Sequence, residues 1–146
     1  MSRSDGEPDA SLTVDGELRE LSRVSAWVNE WAKLQQLPAR VALNLDLCST
    51  EVVTNIVNHA VAEHHAQRIF LRLGWQGENV ALEVEDEGHR FDPRGVPEPR
   101  PATSLQDAHI GGWGIPIVRR FSDDVHYRHQ DGRNCLTLIF RATAPP

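Results

Sequence analysis

The feature that most restricts the fold of this chain is a change of hydrophobic period part-way along it, from three- and four-residue steps to strict alternation. Leu18, Leu21, Val24, Val28, Trp31 and Leu34 recur at helical spacing until Leu37-Pro38 interrupts them, because the residue before a proline is driven out of the helical region. A second helix is expected from Pro38 or Ala39 to near Glu63, with Pro38 suited to a first turn. From Ile69 the period is two. Ile69, Leu71, Leu73 and Trp75 alternate, then Val80, Leu82 and Val84, with Gln76-Gly77-Glu78-Asn79 between them as the turn of a β-hairpin.

The remaining segments extend that plan. Residues 1–10 are polar and read as a flexible N-terminus, and Leu12 and Val14 suit a short edge strand. A short helix is expected from near Gly114, followed by strands around Val125–His129 and Cys135–Arg141 joined through Asp131-Gly132. Between Pro93 and Ile110 the chain carries Pro93, Pro97, Pro99 and Pro101 and shows no periodicity, so it reads as a lid or ordering loop. Helices followed by hairpins give an α+β two-layer sandwich, with helices on one face of a mixed or antiparallel sheet, in a single domain over residues 11–146.

Charge narrows the function. Fifteen Lys and Arg against 21 Asp and Glu give a formal charge of −6, the opposite of a nucleic-acid-binding footprint. A mononucleotide stays open, since backbone N–H groups and a metal ion can hold phosphates without a lysine field. No apolar run approaches a membrane span and the N-terminus has no signal-peptide pattern, so the expected location is cytoplasmic. Cys48 and Cys135 belong to no Cys-x-x-Cys pair and read as reduced, packed thiols.

Three segments carry candidate chemistry. On the second helix Glu51, Asn55 and Asn58 fall at i, i+4 and i+7, a polar stripe among Val52, Val53, Ile56 and Val57. An oxygen-only set of one carboxylate and one or two amides suits Mg²⁺, which keeps several waters and takes phosphate ligands; a solvent-facing stripe is the other reading. In Val84-Glu85-Asp86-Glu87-Gly88, continued alternation puts Asp86 on the apolar, helix-facing side, where a carboxylate needs a donor such as an adenine amino group. Gly88, lacking a Cβ, would admit a flat base, although Asp and Gly also make ordinary turns after strands. In Ile110-Gly111-Gly112-Trp113-Gly114, glycines just before a helix can wrap backbone N–H groups around phosphates, or form a plain loop. The Gly-Lys-Ser/Thr ending of a P-loop is absent, and no strand precedes the glycines as a Rossmann turn requires. His59, His64 and His65 read as helix-end solvation, and Trp27, Trp31 and Trp75 as packing.

In this order the three segments resemble the N, G1 and G2 boxes of the GHKL superfamily, the ATP-binding fold of histidine kinases, gyrase and certain chaperones. The most similar subgroup is the bacterial anti-sigma-factor serine kinases, and the resemblance runs from about Leu18 to Phe140. It implies that Glu51 is the general base, that Asn55 coordinates Mg²⁺ bridging the ATP phosphates, and that Asp86 takes the adenine amino group. It further implies that Gly88 admits the base and that Gly112 and Gly114 cradle phosphates beneath the lid. Pro116 and Ile115 depart from the usual pattern, Pro116 in a first turn where a missing N–H is tolerated. The implied reaction is phosphorylation of a serine on a small anti-sigma-factor antagonist, with a sigma factor as alternative partner and a homodimer as the assembly. An ATP-gated binding module without phosphotransfer, and an isolated histidine-kinase catalytic domain, are the rival functions.

Overall fold

The computed structural model describes residues 10–62, 67–87 and 114–142. Along the chain come β1 (Ala10–Asp15), a 3₁₀ turn (Leu18–Glu20), α1 (Leu21–Leu34), α2 (Ala39–Ala62), β2 (Arg68–Gln76) and β3 (Asn79–Asp86). They are followed by α3 (Gly114–Phe121), β4 (Asp124–Gln130) and β5 (Arg133–Arg141). The strands form one five-stranded sheet in the order β1-β2-β3-β5-β4, antiparallel at every pairing, which settles the mixed-or-antiparallel alternative. Among the described residues no helix is long and apolar enough to cross a membrane.

Alternation decides which sheet face meets the helices. Register aligns Leu71 with Val84 and Val84 with Leu136, and Leu73 with Leu82 and Leu82 with Leu138, so three strands contribute rows of buried aliphatic side chains. Burying such a side chain is worth about 1.5–3 kcal/mol. These rows meet Val24, Val28 and Trp31 of α1 and Leu45, Val52 and Val53 of α2 in one core. The opposite face carries charge: Arg72 reaches Glu85 at 3.0 Å and Glu83 at 3.7 Å, and the Arg133 guanidinium lies 4.9 Å from the Phe70 ring centre. A one-residue slip in any strand would exchange the two faces.

The turns carry their expected residues. Gly77 takes φ 62 at the head of the β2–β3 turn, and Asp131 and Gly132 take φ 56 and 75 in the β4–β5 turn, the left-handed values that twisted hairpins require. The helical pattern begins at Leu18, yet the α-helix starts only at Leu21. Glu17 offers no side-chain cap, and the Glu20 N–H instead closes a tighter turn onto the Glu17 carbonyl at 3.0 Å. At its other end α1 stops where Gln36 adopts φ 56 and the Leu37 N–H reaches back to the Ala32 carbonyl at 3.0 Å. Asp46 of α2 then clamps the helix pair, accepting from Ser25 Oγ at 2.7 Å and Asn29 Nδ2 at 3.1 Å.

Cys48 sits in this core with no exposed surface, and both cysteines are free thiols. Burial, helped by the negative charge of Glu51, pushes the Cys48 thiol from 9.0 up to about 12. Only the thiolate reacts, so native Cys48 is expected to resist iodoacetamide at about pH 8 and to be alkylated once guanidinium unfolds the chain, as read by mass spectrometry. The unfolded thiol ionises before the folded one. Its contribution to stability is therefore complete below pH 9 and is lost progressively as pH rises towards 12.

Candidate active site

The helical layer and the sheet part at the end of the sheet where β3 finishes and β5 begins, leaving a cleft between them. Its walls are apolar: Val52 and Ile56 from α2 face Val84 and Leu136 from the sheet. Such walls are what a flat heterocycle needs on its two faces.

Asp86, the last residue of β3, lines the cleft and is 7% exposed. The sequence alternation places it on the helix-facing side, and the structure does the same. Its register partner on β5 is Asn134, equally buried, whose Nδ2 donates to Asp86 Oδ1 at 3.1 Å. Tyr127 on β4 in turn donates its hydroxyl to Asn134 Oδ1 at 2.5 Å. That second bond fixes which end of the Asn134 amide points at the carboxylate. An ionised carboxylate has about four acceptor positions, so the Asn134 bond does not exhaust it. A buried acceptor between apolar walls is a fit for the amino edge of adenine.

Asn55 of α2 lines the same cleft and is half-buried. Its amide is the described oxygen ligand suited to a hard cation, and among the described residues no group of three or more His, Cys, Asp or Glu could hold a metal by itself. The arrangement fits Mg²⁺ shared with phosphates and not a protein-only cage. Glu51 lies one turn earlier on α2, half-buried and outside the residues lining the cleft. Asn58, placed on the same stripe by spacing, is exposed and does not line the cleft, whereas His59, four residues after Asn55, does. His59 was expected only as a solvated helix-end residue; helix pitch brings the i+4 side chain, not i+3, back over the cleft here. Gly114 is the first residue of α3, and Pro116 stands in that helix's first turn. Gly88, Gly112 and the expected lid lie outside the described residues.

Asn134, Tyr127 and Gln67 also line the cleft, and the sequence alone gave none of them a site role. Pairing Asp86 with Asn134 requires the β3–β5 register, a contact between strands separated by α3. Gln67 enters through backbone geometry: its carbonyl accepts from the Gly16 N–H at 2.8 Å. A Cβ on residue 16 would stand 2.9 Å from that carbonyl oxygen and 3.4 Å from Gln67 Cγ. Gly16→Ala is therefore expected to cost about 1–3 kcal/mol through a forced backbone shift. A lower denaturant midpoint at unchanged m-value checks it.

A sequence profile described as the histidine kinase-like ATPase domain matches residues 14–140, spanning every element from the end of β1 to β5. The chain belongs to the histidine kinase-like ATPase family. Within the family it is 37% identical over 112 residues to the serine/threonine-protein kinase BtrW of Bordetella bronchiseptica, covering 77% of this chain and 79% of that one. It is 25% identical over 93 residues to the serine-protein kinase RsbW of Oceanobacillus iheyensis, covering 61% and 59% of the two chains. Two solved structures share the histidine kinase-like fold. One holds the RsbU and RsbW domains of a Mycobacterium tuberculosis protein, with TM-score 0.62 at 20% identity, covering 94% of this chain and 34% of that longer one. The other is the SiaB–SiaC complex of Pseudomonas aeruginosa, with TM-score 0.64 at 11% identity and 88% coverage of both chains.

Proposed function

We propose that this chain is an ATP-dependent serine-protein kinase of the anti-sigma type, which phosphorylates a serine on a small anti-sigma-factor antagonist. The observation that carries the reading is Asp86, a buried carboxylate held by Asn134 at the floor of an apolar-walled cleft. Similarity over most of the chain to a protein named as a serine/threonine kinase supports the choice of acceptor.

In this reading Asp86 accepts from the adenine amino group, Gly88 admits the base, and Gly112 and Gly114 give backbone N–H groups to the phosphates. Asn55 would hold Mg²⁺ on the protein side, and the ion would supply charge neutralisation at the phosphates. Glu51 takes the proton of the acceptor serine hydroxyl as that oxygen bonds to the γ-phosphorus. The bond from the γ-phosphorus to the bridging oxygen breaks, and ADP leaves. The protein's contribution is positioning and electrostatic stabilisation, as phosphoryl transfer generally demands. A sigma factor is the alternative partner, and two copies of the chain form the working assembly.

Incubation with γ-labelled ATP, Mg²⁺ and the purified antagonist tests the proposal. Label is expected on a serine of the antagonist and is expected to survive acid, which a phosphohistidine does not. A nucleotide-dependent complex that forms without any phosphoprotein would instead make the chain an ATP-gated binding module.

A further inference from the structure

Gln67 is a polar group of the cleft that the proposed chemistry leaves without a task. It stands immediately before β2, is 9% exposed, and its Oε1 has no hydrogen-bond partner among the described residues. The other described buried polar atom in that condition, Trp31 Nε1, lies in the helix–sheet core and not in the cleft. A buried acceptor without a partner destabilises a fold, so native proteins hold few of them, and those they hold call for an explanation.

Its position is defined by the sheet. Ile69 of β2 pairs with Asp86, and Asp86 pairs with Asn134, so the carboxylate is flanked by β2 on one side and β5 on the other. Gln67 lies two residues before Ile69 and lines the same cleft as Asp86. The Gly16 N–H, at 2.8 Å from its carbonyl, holds its backbone there. Two buried residues with acceptor oxygens thus line the cleft, Asp86 from β3 and Gln67 from the β2 side.

We propose that Gln67 reads the edge of the base. Its Oε1 accepts one N–H of the adenine 6-amino group while Asp86 accepts the other, and together they select adenine over guanine. The inference rests on the nucleotide-site reading above. An exocyclic amino group has two N–H donors and matches two acceptors, whereas guanine carries the O6 acceptor at that position and meets both with its own lone pairs. The apolar walls of Val52, Ile56, Val84 and Leu136 take either purine and discriminate between neither. Selection therefore falls to the polar pair, since leaving buried polar groups unmatched is what rejects a wrong ligand.

The test is isothermal titration calorimetry of Mg-ATP and Mg-GTP with wild type, Gln67→Leu and Gln67→Met, beside thermal unfolding of each nucleotide-free protein. Wild type is expected to prefer ATP. Either variant should bind ATP about five- to tenfold more weakly, the value of one hydrogen bond, while GTP affinity stays within about twofold. The nucleotide-free Tm should not fall and is expected to rise by a few degrees, because an apolar side chain replaces an unpaired acceptor. A glutamine with a purely structural role would give the reverse, a lower Tm with an unchanged ATP-to-GTP ratio, and that result in a folded variant overturns the proposal. Wild type that binds both nucleotides equally overturns the role of Gln67 alone. Wild type that binds neither removes the nucleotide site itself and this inference with it.

Discussion

Asp86→Asn protein is expected to fold normally and to bind ATP about 10²–10³-fold more weakly than wild type. The fold survives because the substituted amide is isosteric and its oxygen still accepts from Asn134 Nδ2, which Tyr127 holds in place from the far side. That same constraint ruins the site. With its oxygen committed to Asn134, the new amide can only turn its NH₂ towards the adenine amino group, donor against donor. Loss of a hydrogen bond to a charged acceptor removes about 1.5–3 kcal/mol, and an unmatched buried donor costs about 1–3 kcal/mol more. Thermal unfolding reads the result directly. Mg-ATP at about 100 times the wild-type Kd stabilises wild type by roughly 2.7 kcal/mol, and a 100-fold weaker variant by roughly 0.4 kcal/mol at the same concentration. A Tm shift of several degrees in wild type should thus nearly vanish. An undiminished shift in Asp86→Asn would mean that the carboxylate does not read the base.

Glu51→Ala should do the opposite, removing phosphotransfer while sparing ATP. A general base positioned on the reacting hydroxyl contributes about 10²–10⁴-fold, and that is the expected loss in the initial rate of phosphoserine formation. ATP affinity should stay within about twofold, because Glu51 does not line the cleft that holds the base. Glu51→Gln, which keeps the shape of the side chain and removes its basicity, should lose as much rate as Glu51→Ala. Full rate in either variant removes Glu51 from the chemistry; parallel loss of ATP binding would make it a structural residue of α2.

The two substitutions report on parts of the site that differ in how openly the sequence displayed them. Glu51 and Asn55 are separated by four residues on one helix, so a local rule of pitch is enough to align them. Asp86 was legible for a similar reason, since three preceding alternating residues carry its side chain to the helix-facing side. Asn58 and His59 mark the limit of that reasoning. Both follow Asn55 by about one turn, and only the docking angle of α2 against the sheet decides that His59 lines the cleft while Asn58 meets solvent.

By itself, the sequence determined the elements and most of the faces they bury: helical spacing that buries Val24, Val28 and Trp31 but leaves its two ends, Leu18 and Leu34, exposed, alternation from Ile69 to Val84, and turns at Gly77 and Asp131-Gly132, where left-handed backbone favours Gly and Asp. These are local properties, set within a few residues by pitch, pleat and allowed φ. The tertiary structure alone decided that β5 lies between β3 and β4, and hence that Asn134 and Tyr127 support Asp86. It alone brought Gly16 against Gln67 and left a buried acceptor, unpartnered among the described residues, on a residue that lines the cleft. Strand order and close backbone approach arise from segments far apart in the chain, whose pairing is governed by the packing of the whole core and leaves no periodic trace in either segment.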